Sequence, residues 1–495
     1  MASDILKSLG DEINEVLGYN PTSNSTKPTY IANGVFRECT GETCDLNDIQ
    51  QWILSDYKNE KKGVSTEEIL ENYSDKFVKG SSENLDKVKI FRYLLSQVFN
   101  PDSTVYPSMV DSAFNITSHW FIRQYARSEG KIGSFIFGIL SKKIESEQSP
   151  ALLLIRDALK QDKDDFTKLI KPILTNTESS SNPNRDLNPT SVSHDKIEWN
   201  PLKQVLREGF DRLANNIKRI GEDKNPLIVL ERMVNFSVFS VFFYHINIST
   251  VKKCQSLIPM FIDSSCNCDS IKKASEQSYI TAKKSVEDFY IQELKELLGK
   301  SIKNSKHACL EWIENNSFDS KVEISDEHRD AIKNYFESFC VENQSDYLFA
   351  LARSLQFSLY TFTYKNNTPS DFCRVLGVRG GLVGPRGNRA TVKRYILNSF
   401  ALETITLSVL STEQVKVGID MKEFCKLLFD NYKIMFGADP ESEYKLLEDI
   451  NIAQSTPGDL RGDMTLNYSS LTDTYISLGL AMKYADGVTI LKWRS

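Results

Sequence analysis

Sixteen residues from Met233 to Ile248, MVNFSVFSVFFYHINI, constrain this chain more than any other stretch. A helix built from them is apolar nearly all round, so no orientation leaves a polar stripe for water. The run falls short of the ~20 residues that a bilayer span needs, and Glu231, Arg232 and His245 sit in or beside it. It therefore predicts a buried core helix, wrapped by other elements of a soluble protein. The chain has the length to supply them. Its 495 residues correspond to about two to four domains at roughly 150 residues each.

The surrounding sequence reads as helical. Ser65-Thr66-Glu67-Glu68 is a capping start for a helix through Phe77. Ser82 to Asn100 places Leu85, Val88, Phe91, Leu95 and Val98 on one face before Pro101 stops it. Further helical patterns cover 112–127, 132–145, 149–160 and 164–174, whereas the first forty-five residues are turn-rich with little periodicity. Residues 175–196, TNTESSSNPNRDLNPTSVSHDK, bury almost nothing and predict a linker. Beyond it, helices are expected at 201–220, 226–248, 270–298, 325–342 and 345–360, with a short strand at 257–263. The expected fold class is mainly α, a multi-domain helical protein. Residues 1–174 form an N-terminal helical domain, 175–196 a linker, 197–370 a middle helical domain, and 371–495 a C-terminal part.

That C-terminal part opens on RVLGVRGGLVGPRGNRATVKR, from Arg374 to Arg394. It carries five glycines, six cationic side chains and no acid, in a protein of formal net charge −6. Backbone N–H groups of such a loop can form an anion-binding nest, strengthened by a following helix N-terminus. An apolar pattern from Thr391 onward predicts that helix. Arg379, Arg386, Arg389, Lys393 and Arg394, with Gly384 and Gly387, are the candidate residues for phosphate or a nucleic-acid backbone. No Gly-Lys-Ser/Thr follows at Walker spacing, and no βαβ unit surrounds the segment. The competing reading pairs these arginines with carboxylates elsewhere on an acidic protein.

Other constellations point to little chemistry. The nine cysteines show no disulfide framework, and MASDILKSLG has no apolar signal core, so a reducing cytoplasm is expected. Cys39 and Cys44, with Cys266 and Cys268, lack zinc-ribbon spacing, and neither a metal nor a cofactor is predicted. The five histidines are isolated from one another; His245 reads as a satisfied core residue and His328 as part of a solvated face. Asp263, at the end of the short strand, and Glu276 are the best carboxylate pair for a metal-dependent nuclease.

Helices at 421–436, 441–453 and 465–484, then Ala485-Asp486-Gly487 and VTILKW, have the outline of a winged-helix domain. From Glu413 onward there are thirteen acidic and nine basic residues, a balance that favours docking protein over reading DNA. Two segments, GGLVGPRGNRATVKRYILNSFALETITLSVL and LGLAMKYADGVTIL, carry a resemblance. The chain resembles, over its C-terminal residues alone, accessory subunits of DNA-phosphorothioation-dependent restriction systems in bacterial anti-phage islands. That resemblance implies a non-enzymatic adaptor or scaffold that docks a HerA/FtsK-like ATPase or a nuclease, with DNA as a further contact. The alternatives are the metal-dependent nuclease and a winged-helix transcriptional regulator.

Overall fold

The computed structural model describes residues 5–22, 25–41, 65–72, 74, 82–98, 129–144, 147–159, 199–319, 321–342, 345–363, 368–386, 392–453, 458–485 and 487–493. Among these, 72% are helical and 5% extended, so the protein is mainly α. The helices are α1 (Ile5–Leu17), α2 (Pro28–Thr40), α3 (Thr66–Asn72), α4 (Leu85–Val98), α5 (Ile132–Ser141) and α6 (Pro150–Ala158). They continue as α7 (Pro201–Arg219), α8 (Pro226–Lys252), α9 (Asp269–Gly299), α10 (Lys306–Asn315), α11 (Val322–Glu342) and α12 (Tyr347–Ser358). The last six are α13 (Pro369–Arg379), α14 (Ser399–Val409), α15 (Thr412–Val417), α16 (Met421–Tyr432), α17 (Pro440–Asp449) and α18 (Leu460–Ser477). Seven short strands accompany them: β1 (Met260–Phe261), β2 (Val383–Gly384), β3 (Arg394–Tyr395), β4 (Ile419–Asp420), β5 (Ile434–Met435), β6 (Ala481–Lys483) and β7 (Thr489–Leu491).

The apolar run lies within α8, which is longer than the run itself. Asn225 caps its start by accepting from Leu227 N, and Pro226 occupies the first turn, where its missing N–H costs nothing. Every residue from Arg232 to Thr250 is buried. The covering comes from α2, α5, α6, α7, α9, α13 and α14, so elements from both ends of the chain meet on one helix. Its polar residues survive there by local bonding. Ser237, Ser240 and Asn247 donate to carbonyls four residues back at 2.8, 2.7 and 3.0 Å. Arg232 is held by Glu222 at 2.5 Å and Glu403 at 3.2 Å, with Phe400 under its guanidinium. The helix is long and apolar enough to cross a membrane, but 83% of its most apolar window is buried inside the protein.

Several boundaries differ from the sequence expectations. The first forty-five residues hold two helices, because Leu6, Leu9, Ile13 and Leu17 repeat at helical spacing and face the core. α10, which the pattern missed, starts where Ser305 accepts from Ala308 N. α3 keeps its expected start, with Glu68 N donating to Ser65 Oγ at 3.0 Å. Residues 112–127, 164–174 and the linker 175–196 lie outside the described residues. The helix expected from Thr391 begins at Ser399 instead, since Asn398 accepts from Ala401 N, and residues 394–395 are extended. The strand at 257–263 is reduced to β1, which pairs in parallel with β5, Met260 opposite Ile434.

At the C-terminus α16, α17 and α18 precede a hairpin. α18 stops at Ser477, short of the expected Tyr484, because Gly479 takes φ +72°. Residues 481–483 are consequently strand. β7 pairs antiparallel with β6 and with β4, giving a three-stranded sheet of order β4-β7-β6. Asn467 fixes α18 to the β1–β5 pair: its amide donates to Ile262 O and Phe436 O, and its oxygen accepts from Ser264 N.

Candidate functional site: the glycine–arginine segment

The segment opens as α13, whose Thr368 cap accepts from Asp371 N and whose Arg374 pairs with Asp371 at 3.2 Å. It then turns at Gly381 and returns as the antiparallel pair β2–β3, with Val383 opposite Tyr395 and Gly384 opposite Arg394. The glycines answer to packing. A Cβ at Gly377 would stand 2.6 Å from Val383 Cγ2 and 3.0 Å from Phe242 of α8. Gly381 has φ +71°, and a Cβ there would collide with the Asn398 side chain that caps α14. The neighbouring amides are already used. Gly380 N donates to Leu376 O, Leu382 N to Gly377 O, Ile396 N to Leu382 O and Asn398 N to Gly381 O. Among the described residues, these four amides are therefore not available to the nest expected from the sequence.

The cations have partners of their own. Arg394 Nε donates to Asp263 Oδ2 at 2.7 Å, and the Asp263 side chain is fully buried. The second oxygen of Asp263 accepts from Ser265 N at 2.7 Å. Tyr395 continues the attachment: its carbonyl accepts from Asp263 N, and its N–H donates to Ser275 Oγ of α9. Arg379 donates to the buried Thr26 Oγ1 at 2.5 Å, far off in the N-terminal region. Lys393 is buried and donates to Pro385 O at 2.7 Å. Burial, and then the Arg374 guanidinium, holds its ammonium below the ordinary lysine range. Arg386 is exposed and Gly384 is buried, while Gly387 and Arg389 lie outside the described residues.

Three of the five candidate cations are thus directed to three different internal partners: the β1 turn, the N-terminal region and the segment's own backbone. The carboxylate reading accounts for Arg394. Asp263, offered as a nuclease carboxylate, is engaged by Arg394 and Ser265, and Glu276 pairs with Lys273 at 3.5 Å. Among the described residues no group of three or more His, Cys, Asp or Glu side chains could hold a metal ion. Burial pushes the Cys39 thiol up to about 12. Partial burial, with the Cys266 thiol close by, pushes Cys268 up to about 11. Both are therefore thiols, poor ligands at neutral pH. His328 is half-buried and stacks on Phe362 at 4.1 Å, so its face is less solvated than expected. His245 is buried, as the sequence implied, but its ring is only half satisfied. Nδ1 meets Tyr19 Oη at 2.6 Å, and Nε2 has no partner among the described residues.

No family model, curated protein or solved structure matches this chain.

Proposed function

We propose that the chain is a non-enzymatic adaptor that docks a protein partner through a winged-helix-like C-terminal region. The observation that carries this reading is the outer face of the β6–β7 hairpin. Met482 lies opposite Ile490, and Tyr484 N donates to Val488 O at 2.8 Å. Strand alternation therefore places these four apolar residues on one side. Met482 is 56% exposed, Tyr484 51% and Val488 39%, while Thr489 and Leu491 on the opposite side are buried. An exposed apolar patch of this kind marks an interaction surface.

The winged-helix reading is supported by the order of elements: β4, three helices, then a hairpin whose β7 pairs back onto β4. A DNA-reading third helix brings cations to phosphates. α18 has Arg461 against Asp463 and Asp473, and Arg461 pairs with Glu441 at 3.3 Å. That balance favours protein over DNA as the partner and counts against the transcriptional regulator. The resemblance supplies the partner class, an ATPase or nuclease of an anti-phage system. DNA phosphates are a secondary contact, through Arg386 and Arg389.

Co-expression with a HerA/FtsK-like ATPase and with a nuclease of such a system, followed by affinity capture, tests the proposal. Met482→Asp/Tyr484→Asp should abolish co-capture and leave the circular dichroism spectrum unchanged. Full retention of the partner by the folded double variant would refute the docking surface. Plasmid cleavage with Mg²⁺ that Asp263→Ala abolishes would replace the adaptor with a nuclease.

A further inference from the structure

Cys266 and Cys268 stand in the loop that joins β1 to α9, and both are free, half-buried thiols. The loop is turned on itself. Ser265 and Asn267 take φ +65° and +61°, left-handed values that few side chains adopt and that asparagine tolerates. A left-handed residue between the two cysteines turns the chain instead of extending it. Their side chains meet as a result. Cys268 Sγ donates to Cys266 O at 3.5 Å, and the Cys266 thiol lies close beside it. Both pack on the small core that includes Phe261, Ile271, Met435 and Met464. Cys268 occupies the N-cap position of α9, but its side chain caps nothing there, so moving its sulfur costs the helix no bond. The same loop holds α18. Ser264 N donates to Asn467 Oδ1 at 2.8 Å, Ser470 Oγ donates to Ser264 O at 2.6 Å, and Ser270 Oγ donates to Asp463 Oδ2. The two cysteines lie between those attachments.

We propose that Cys266 and Cys268 are an oxidative modification site: a low-molecular-weight disulfide such as oxidised glutathione converts them to a Cys266–Cys268 disulfide, which loosens the hold of the loop on α18. The consequence for partner binding rests on the docking reading, since α18 runs into the β6–β7 hairpin that carries the apolar patch. The exchange balances without another reagent. Cys266 loses its proton and attacks one sulfur of the small disulfide, forming a mixed disulfide and releasing one glutathione thiol. Cys268 then loses its proton, attacks the Cys266 sulfur and displaces the second glutathione thiol. The protein gives up two hydrogens, and the small disulfide gains them. The order follows from the surroundings. Partial burial, and then the Cys266 thiol, pushes Cys268 up to about 11, which makes it the poorer first nucleophile and the resolving group. A ring closed across one intervening residue leaves little freedom within it, so its strain passes to Ser264 and Ser270 on either side. Strained disulfides are the labile, regulatory ones.

The test equilibrates the full chain with reduced and oxidised glutathione at a series of ratios, alkylates the free thiols and reads the peptide carrying both cysteines by mass spectrometry. The expected result at the oxidising end is a peptide short of two hydrogens and free of alkyl groups, restored by dithiothreitol. Two alkyl groups at every ratio, or a disulfide from either cysteine to any other, overturns the site. Cys268→Ser should stop at the mixed disulfide on Cys266; glutathione absent from Cys266 in that variant overturns the order of attack. Hydrogen exchange reads the coupling. Amides in the first turns of α18 should exchange about fivefold faster in the oxidised protein, the effect of losing one ordinary hydrogen bond. Cys266→Ser/Cys268→Ser should show no response to oxidant, and equal exchange in both states of the wild type overturns the hold on α18. Both readouts use the isolated chain, so a failure of the docking surface shows separately, as absent partner capture with the disulfide chemistry intact.

Discussion

Arg394→Ala separates the two readings of the glycine–arginine segment, because its expected effect is large under one and small under the other. Asp263 is fully buried, and its Oδ2 depends on Arg394 Nε at 2.7 Å. Deleting the guanidinium leaves a carboxylate with Ser265 N–H on one oxygen and, among the described residues, no other ion-pair partner. Breaking a buried pair from one side costs about 3–5 kcal/mol. The Arg394 side chain keeps 18% of its surface in water, and Ser265 still binds, which places the loss near the lower end, about 3 kcal/mol. That is roughly a hundredfold in the unfolding constant and a large share of a typical domain's stability. Removing both charges with Asp263→Asn/Arg394→Met should cost less than Arg394→Ala alone, since no uncompensated ion remains. The exposed Arg386→Ala should stay within about 0.5 kcal/mol. Urea unfolding of the four proteins reads these values. DNA affinity against salt on the same samples reads phosphate contacts, each worth about 1 in the slope of log K against log salt. An Arg394→Ala protein with an unchanged urea midpoint and a reduced salt slope would refute the structural role and restore the phosphate site.

Two further outcomes are expected. Gly381→Ala should lower stability by more than about 1 kcal/mol, since φ +71° disfavours a Cβ and the added methyl displaces the Asn398 cap; a neutral thermal melt would sink that account. The folded-state pKa of His245 is depressed from 6.5 to about 3 by burial, so its contribution is full above pH 6.5 and is lost as the pH falls towards 3. Wild type should lose up to about 1.4 kcal/mol per pH unit more than His245→Gln across that window, and parallel stability curves for the two would contradict it.

What the sequence made legible was local. The apolar composition of 233–248 announced α8, and its expected start at Pro226 is where the helix begins. Ser149, Asn200 and Ser305 all cap helices, yet only the first two preceded patterns strong enough to be read. The N-terminal helices were obscured because turn residues at 20–26 draw attention from the leucines of α1. The glycine–arginine segment was legible as a place but not as a chemistry. A sequence shows that Gly377 lacks a side chain; it does not show whether phosphate or Val383 takes the space. Arg394 and Asp263 are 131 positions apart, and Tyr19 and His245 are 226 apart, so no local pattern connects either pair.

The covering of α8 from both ends of the chain sets an order of events during synthesis. The ribosome releases α8 while α13 and α14 are still unmade, and its phenylalanines wait for them. At usual elongation rates the interval from Lys252 to Val409 is about 10–30 s, far longer than a helix takes to form. For that time the nascent chain displays an apolar helix still open on the faces that α13 and α14 will cover. Fragments ending before Val409 should bind chaperones or aggregate, and the full chain should become independent of such help only once α14 has docked.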